Sequence, residues 1–443
     1  MNFIVPPFQS PDEPQHFSAV MVYALGAEKE PEIMREIIRI MDRNNWWRFV
    51  GMGRPEVLPK HFYREGFLIF KDVASVFPGI HLYQFLLGRL LRSLNPHQII
   101  TSYYICRFFS ILLVSFALAF IGMTFQRAVP AGRPGLVYAP LFVLFLPQFM
   151  LMTVSVNPDV FSIFLGAVFF YGSFSLLRGE AGIARFVIMI FASVLAYFTD
   201  RSVYSLFVLL IVFPFFMFRR KRLRLSFLTI AAVIVMVCVV VVGTRWYFPR
   251  QVQMNIEFLT KYLPAGTAGL VWVFSSGIIR EFIQLLVDSF YLRFGWMAFS
   301  PDQIIQWLWR VALFFSWLGL GLYFIRRAIP QKNSKRKWIS STPNFRLILF
   351  SLFALGLQLA GLLIGFGWTR IFCQGRYFFP LITAVALLFV TGISILFESI
   401  RKKAGVVAMG VFVFVEFFVL NYIVWNDIIP VFHLTLKPPH PGL

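Results

Sequence analysis

The chain has 443 residues, of which 58% are hydrophobic, 18% aromatic and only 14% charged, whereas a water-soluble domain carries about 25% charged residues. With a mean hydropathy of +0.74, this composition excludes a soluble enzyme and a nucleic-acid binder. The formal charge of +21, from 41 Lys and Arg against 20 Asp and Glu, would suggest a polyanionic partner in a soluble protein, so where the charge sits decides what it means.

Residues 1–104 form the largest polar region, predicted to be a folded extracytoplasmic first loop. It opens on PPFQSPDEPQHF, whose prolines fix a turn, followed by a predicted helix from Glu13 to Leu25 and another through PEIMREIIRIMDRNNWWRF. The stretch VFPGIHLYQFLLGRLLRSL reads as an amphipathic helix at the membrane interface, with Arg89 and Arg92 reaching outward. Ten apolar segments then approach the roughly 20 residues that a membrane-crossing helix needs: 105–125, 136–151, 157–177, 183–199, 203–218, 226–243, 303–325, 346–367, 376–397 and 405–425. They divide into a six-span bundle (105–243), a second extracytoplasmic loop (244–302), a four-span bundle (303–425) and an extracytoplasmic tail (426–443).

Lys and Arg collect in loops that remain cytoplasmic. One alternate set of loops carries 19 of them (QRAVPAGRP, RGEAGIAR, RRKRLR, RRAIPQKNSKRKW with Arg346, and RKK) against only Glu180 and Glu398, while residues 1–104 hold eleven basic and ten acidic residues. The excess charge therefore marks topology and calls for no nucleic acid. Residues 1–104 and the C-terminus are expected outside, and since MNFIVPPFQ contains no signal peptide or anchor, a preceding span is expected to have been lost.

Ionisable groups at span ends are candidates for function. Asp12 and Glu13 are adjacent carboxylates with His16 nearby, a set that suits a general base or permits a divalent cation; the competing reading is an N-cap Asp opening a helix. Asp159 in SVNPDVFSIF stands at an outer span end as an acid, base or ligand, or as a helix cap. Asp200 and Arg201 occupy a short outer link. Arg107, Arg370 and Arg376 lie at outer span ends, where guanidinium forks suit phosphate oxygens. Glu416 and Arg310 fall inside spans and suit structural pairing, or a proton path. Cys106, Cys238 and Cys373 have no metal spacing, and Cys106 and Cys373 would both sit near the outer face, where a bridge or a small apolar role are the alternatives. There is no P-loop or glycine-rich nucleotide loop, which disfavours ATP-driven transport and nucleotide-sugar use.

PPFQSPDEPQHF, RFFSILL, SVNPDVFSIFLGA and CQGRYFFPLI, in that order, together resemble a group of bacterial polytopic membrane proteins of unknown function within the GT-C glycosyltransferase superfamily. The resemblance runs over nearly the whole chain. It implies an all-α polytopic, GT-C-like helical bundle that transfers a sugar from a polyprenyl-phosphate donor to a cell-envelope glycan or lipid acceptor, outside the bacterial cytoplasmic membrane. It implies Asp12 and Glu13 as the catalytic carboxylates, with His16 beside them, and it matches the Asn157-Pro158-Asp159 and Gln374-Gly375-Arg376-Tyr377 motifs. Relatives tend to carry Lys where this chain has Arg201, and they begin with a span ahead of the PPFQ segment. On this reading Arg107, Arg201, Arg376 and Tyr377 join His16 and Asp159 in binding substrate, and membrane lipid surrounds the grooves. The alternatives are a lipid-linked oligosaccharide flippase or other transporter, and a polysaccharide polymerase or ligase.

Overall fold

The structure is a computed structural model. It describes residues 4–10, 12–44, 46–47, 82–96, 98–128, 138–180, 182–199, 203–217, 260, 263–275, 277–293, 302–328, 345–368, 374–398 and 404–430. Among the described residues helix is the only regular structure.

Among the described residues the N-terminal region forms α1 (Glu13–Leu25) and α2 (Glu30–Arg43). The sequence VFPGIHLYQFLLGRLLRSL supplies α3 (Leu82–Leu94), which buries Tyr83, Gln84, Leu87, Gly88 and Leu91, largely against α1, and leaves Arg89 and Arg92 exposed. The amphipathic pattern is thus satisfied by packing on another helix of the same chain. Then come α4 (Ile99–Ala128), α5 (Ala139–Phe145), α6 (Pro147–Thr153), α7 (Pro158–Arg178), α8 (Ile183–Tyr197) and α9 (Tyr204–Met217). The region 244–302 is more than a loop, since it contains α10 (Leu263–Ser275) and α11 (Ile279–Tyr291). The chain continues with α12 (Gln303–Ala328), α13 (Phe345–Trp368), a 3-10 segment (Gly375–Leu381) running into α14 (Ile382–Glu398), and α15 (Ala404–Ile423), which ends in a π turn (Val424–Ile428).

Six of these are long and apolar enough to cross a bilayer: Ile99–Arg127, Pro158–Arg178, Gln303–Ala328, Phe345–Gly367, Gly375–Glu398 and Ala404–Ile428. The described residues form an all-helical membrane protein. The other four expected spans fare differently. Ile183–Tyr197 and Tyr204–Met217 are apolar but shorter, and 226–243 lies outside the described residues. The segment 136–151 is not one helix but two of seven residues each, divided at Leu146, whose ψ of 117° is extended. Pro147 is the reason: its ring excludes the preceding residue from helical geometry and removes a backbone donor.

Burial sorts the six long helices into two classes. Pro158–Arg178 and Gly375–Glu398 are 89% buried, against 28–39% for the other four, so α7 and α14 are the centre of the bundle and the rest surround it. The outer helices turn large apolar side chains outward, among them Phe108, Phe116, Trp307, Trp317, Phe414 and Trp425, which suits a lipid environment. The two central elements meet at Gly166, where any Cβ would overlap the carbonyl group of Pro380. Only glycine allows the 3-10 segment this close to α7.

The charged residues of α4 are two arginines far apart along the helix. On α4, Arg107 and Arg127 are 20 residues apart, about 30 Å at 1.5 Å per residue, and that is the thickness of a hydrocarbon core. At the Arg127 end, Arg185 pairs with Glu180 at 3.1 Å, and Arg127 lies 4.0 Å from the same carboxylate while donating to the Tyr171 hydroxyl. At the Arg107 end, the N-terminal segment folds over the bundle.

Candidate functional site

Asp12, Glu13, Arg107, Asp159 and Arg376 converge at this second end. The adjacent carboxylates Asp12 and Glu13, however, have different surroundings. Glu13 is wholly buried. Its Oε1 accepts from Arg107 Nε (3.3 Å) and from the Val156 backbone N–H (2.9 Å); its Oε2 accepts from Arg107 Nη2 (3.2 Å) and the Ser10 N–H (3.4 Å). Arg107, equally buried, also donates from Nη1 to the Val5 carbonyl (2.7 Å) and from Nη2 to the Pro6 carbonyl (3.1 Å), and lies over the Tyr103 ring at 4.6 Å. This is a saturated ion pair that joins three pieces of chain: the N-terminal segment, α4, and the turn that leads into Asp159. Buried charges persist only when paired and hydrogen-bonded in this way.

Neighbouring contacts hold the same segment. Phe8 has a left-handed φ of 70°, unusual for a bulky residue, and both of its backbone groups are bonded. Its N–H donates to the Tyr103 hydroxyl (3.1 Å), and its carbonyl accepts from Trp46 Nε1 (2.6 Å). Its ring packs against Tyr103 and Phe17.

Asp12 stands at the N-cap position of α1, as its place before the helix suggests, yet its side chain makes no capping bond. Its φ of 59° and ψ of 3° turn the residue, and the carboxylate instead accepts from Arg376 Nη2 at 3.2 Å. The Asp12 side chain keeps 31% exposure, so it is the one of the two adjacent carboxylates open to solvent.

The position of Arg376 follows from its neighbours. Gly375 donates its backbone N–H to Ser289 Oγ on α11 at 2.7 Å, and a Cβ there would collide with the backbone of Phe290 and Leu286. Gln358 Nε2 on α13 donates to the Tyr377 carbonyl at 2.9 Å. With the backbone fixed on both sides, the Arg376 guanidinium lies 94% buried between Asp12 and Asp159, whose Oδ2 is 3.8 Å from its Nε. It sits 5.4 Å from the Tyr377 ring centroid. Its Nε and Nη1 make no hydrogen bond among the described residues. Asp159 owes its position to Asn157, which caps α7 by accepting from the Asp159 backbone N–H at 2.8 Å. The cap is thus Asn157, and the Asp159 carboxylate is turned to the arginine.

The remaining sequence candidates lie elsewhere or have other partners. His16 Nδ1 faces Gln84 Nε2 on α3 at 2.9 Å, which takes the imidazole toward the α1–α3 contact. Among the described residues no three His, Cys, Asp or Glu side chains are grouped so as to hold a metal ion; Glu13 in particular gives its oxygens to Arg107 and two backbone amides. Glu416 and Arg310 are not paired with each other. Glu416 accepts from Tyr291 at 2.8 Å, and Arg310 forms a two-pronged pair with Asp288 at 2.7–3.0 Å. Burial and the Glu416 carboxylate push the Tyr291 phenol well above its usual range, so it acts as a donor. Cys106 is a buried free thiol. Asp200, Arg201, Arg370, Cys238 and Cys373 lie outside the described residues.

Two participants escaped the sequence reading. Gln9, in the turn just before Asp12, is buried, and neither of its amide atoms has a hydrogen-bond partner among the described residues; its position inside PPFQSPDEP was the only signal. The Val156 and Ser10 amides that fix Glu13 have no side-chain signature at all.

No protein-family model matches the chain. Neither a curated protein nor a solved structure matches it.

Proposed function

We propose that the protein is a GT-C-type membrane glycosyltransferase that moves a sugar from a polyprenyl-phosphate donor to a cell-envelope glycan or lipid acceptor. The observation that carries this reading is the solvent-accessible Asp12 carboxylate set against the buried Arg376 guanidinium at one end of a bundle of apolar helices. In the reaction, Asp12 takes the proton of the acceptor hydroxyl. The acceptor oxygen forms a bond to the anomeric carbon of the sugar, and the bond from that carbon to the phosphate oxygen breaks. The polyprenyl phosphate leaves with the electron pair, and Arg376 offers the departing anion the N–H groups of Nε and Nη1, which make no hydrogen bond among the described residues. Phosphate is already a competent leaving group, so the site needs a base and a cation more than a general acid.

Within this reading Glu13 and Arg107 hold the site together and do not touch the reacting atoms, while Asp159 orients Arg376, and Tyr377 and Arg201 are substrate contacts. On this reading the helical bundle lies in a bacterial cytoplasmic membrane. The Asp12 end of the bundle, residues 1–104 and the C-terminus are outside, and the basic loops inside. The outward apolar faces of α4, α12 and α15 give the lipid chain of the donor a medium matching its own. Asp12→Asn in membranes bearing the full chain should reduce transfer from polyprenyl-phosphate-linked sugar by about 10²-fold or more, the usual worth of a general base. Undiminished transfer refutes the assignment. Movement of a lipid-linked glycan across vesicles with no glycosidic bond formed would point to a flippase.

A further inference from the structure

In the arrangement described, the proposed base and the proposed phosphate site neutralise each other. Arg376 carries one positive charge and lies between two carboxylates, so the cluster Asp12–Arg376–Asp159 has a net charge of −1 when both acids are ionised. Such a cluster repels a phosphate. It also holds the Asp12 carboxylate against the guanidinium, where it is not free to meet an acceptor hydroxyl. A productive complex requires one carboxylate to leave the arginine.

The two carboxylates differ in their freedom to do so. Asp159 is 6% exposed and sits in the first turn of α7, one of the two most buried helices of the bundle, its backbone fixed by the Asn157 cap. Asp12 is 31% exposed, lies in a left-handed turn, and has no capping bond to hold its side chain. Only one Arg376 donor, Nη2, is hydrogen-bonded to it, while Nε and Nη1 are buried and make no hydrogen bond among the described residues. The backbone on both sides of Asp12 is anchored independently, by Glu13 on one side and by the bonds of Phe8 and Ser10 on the other. Asp12 can therefore rotate its side chain away without unfolding the segment.

We infer that the phosphate of the lipid donor displaces Asp12 from Arg376, so that the base is released only when the donor is bound. This rests on the transferase reading given above and adds to it an order of events: donor first, base second. An empty site keeps its base sequestered, and water is not activated in the absence of donor. The exchange conserves charge contacts, because an anion replaces an anion on the same guanidinium, and the differential affinity of the phosphate for the displaced state supplies the shift in population.

The test uses the full chain in nanodiscs, with farnesyl phosphate as probe and farnesol as its uncharged control. Carbodiimide labelling of carboxylates, read by mass spectrometry, reports the Asp12 side chain directly and needs no variant. Saturating farnesyl phosphate should raise Asp12 labelling by about threefold or more, as expected for a shift from a mostly paired to a mostly displaced population; farnesol should leave it unchanged. Asp12→Asn removes the competing anion and should tighten farnesyl phosphate binding about tenfold, as expected when one of two carboxylates facing the same guanidinium is lost, while farnesol binding stays the same. In Arg376→Gln, Asp12 labelling should be high with or without probe. Labelling that falls or does not change with farnesyl phosphate overturns the inference, as does weaker probe binding by Asp12→Asn or equal binding of phosphate and alcohol by the wild type. If Asp12 is unmasked by the probe but no sugar is transferred from any polyprenyl-linked donor, the exchange stands and the transferase reading falls. If transfer occurs while Asp12 labelling is indifferent to the probe, the transferase reading stands and the exchange falls.

Discussion

Replacing Glu13 by Gln should destabilise the protein severely, although the substitution changes neither size nor shape. The carboxylate is fully buried and accepts four hydrogen bonds, two on each oxygen. An amide offers one oxygen and one NH2, and whichever way it is turned, the NH2 faces two N–H donors. One orientation sets it against Arg107 Nε and the Val156 amide, the other against Arg107 Nη2 and the Ser10 amide. The variant therefore loses two acceptors for buried donors and leaves the Arg107 charge without a counter-ion. Breaking a buried pair from one side costs about 3–5 kcal/mol. Unfolding of the purified full chain by SDS in mixed micelles, followed through the emission of its 11 tryptophans, would measure the loss. Adding Arg107→Met to Glu13→Gln should recover part of it by removing the uncompensated charge, with the orphaned Val5 and Pro6 carbonyls limiting the recovery. A Glu13→Gln protein within about 1 kcal/mol of the wild type, the range of an exposed pair, would refute the assignment of Glu13 as the buried anchor.

Gly166→Ala drives a Cβ into the Pro380 carbonyl and should cost about 1–3 kcal/mol in the same unfolding measurement, as overpacking does. Gly375→Ala meets the α11 backbone; if the close approach is what sets Arg376, farnesyl phosphate affinity should fall while the far end of the bundle keeps its Arg127–Glu180–Arg185 contacts. Tyr291→Phe removes the hydroxyl that donates to the buried Glu416 carboxylate and should lower stability by about 1–3 kcal/mol, the cost of an unsatisfied buried acceptor; an unchanged stability would show that Glu416 has another donor. His16→Ala, which loses its contact to Gln84, should leave sugar transfer far less affected than Asp12→Asn, and equal losses would return the imidazole to the reacting centre.

The helices were legible where one periodic signal dominated. The helix expected from Glu13 to Leu25 is α1, and the run 157–177 is α7 within a residue, because Asn157-Pro158 combines a capping side chain with a proline suited to the first helical turn. The run 136–151 was misread because hydropathy is indifferent to Pro147, whereas the backbone is not. Interface character was assigned to Leu82–Leu94 from its amphipathic pattern, but a pattern cannot distinguish a lipid surface from another helix, and here the apolar face meets α1. At the site, residue types pointed to Asp12, Glu13, Arg107, Asp159 and Arg376, and these five do converge. Their division of labour was not legible. Adjacent carboxylates look equivalent in sequence, and the left-handed turn at Asp12, which sends one toward Arg376 and the other into the Arg107 lock, depends on backbone amides from Ser10 and Val156 that no side chain announces.

The account turns on Asp12 being the group that activates the acceptor. The most direct measurement is release of polyprenyl phosphate and formation of the glycosidic product in membranes carrying either the wild-type chain or Asp12→Asn, offered a panel of polyprenyl-phosphate-linked sugars. The account predicts that the wild type turns over at least one donor and that Asp12→Asn, equally abundant and binding farnesyl phosphate more tightly, is slower by about 10²-fold or more. Equal turnover by the two proteins would contradict it.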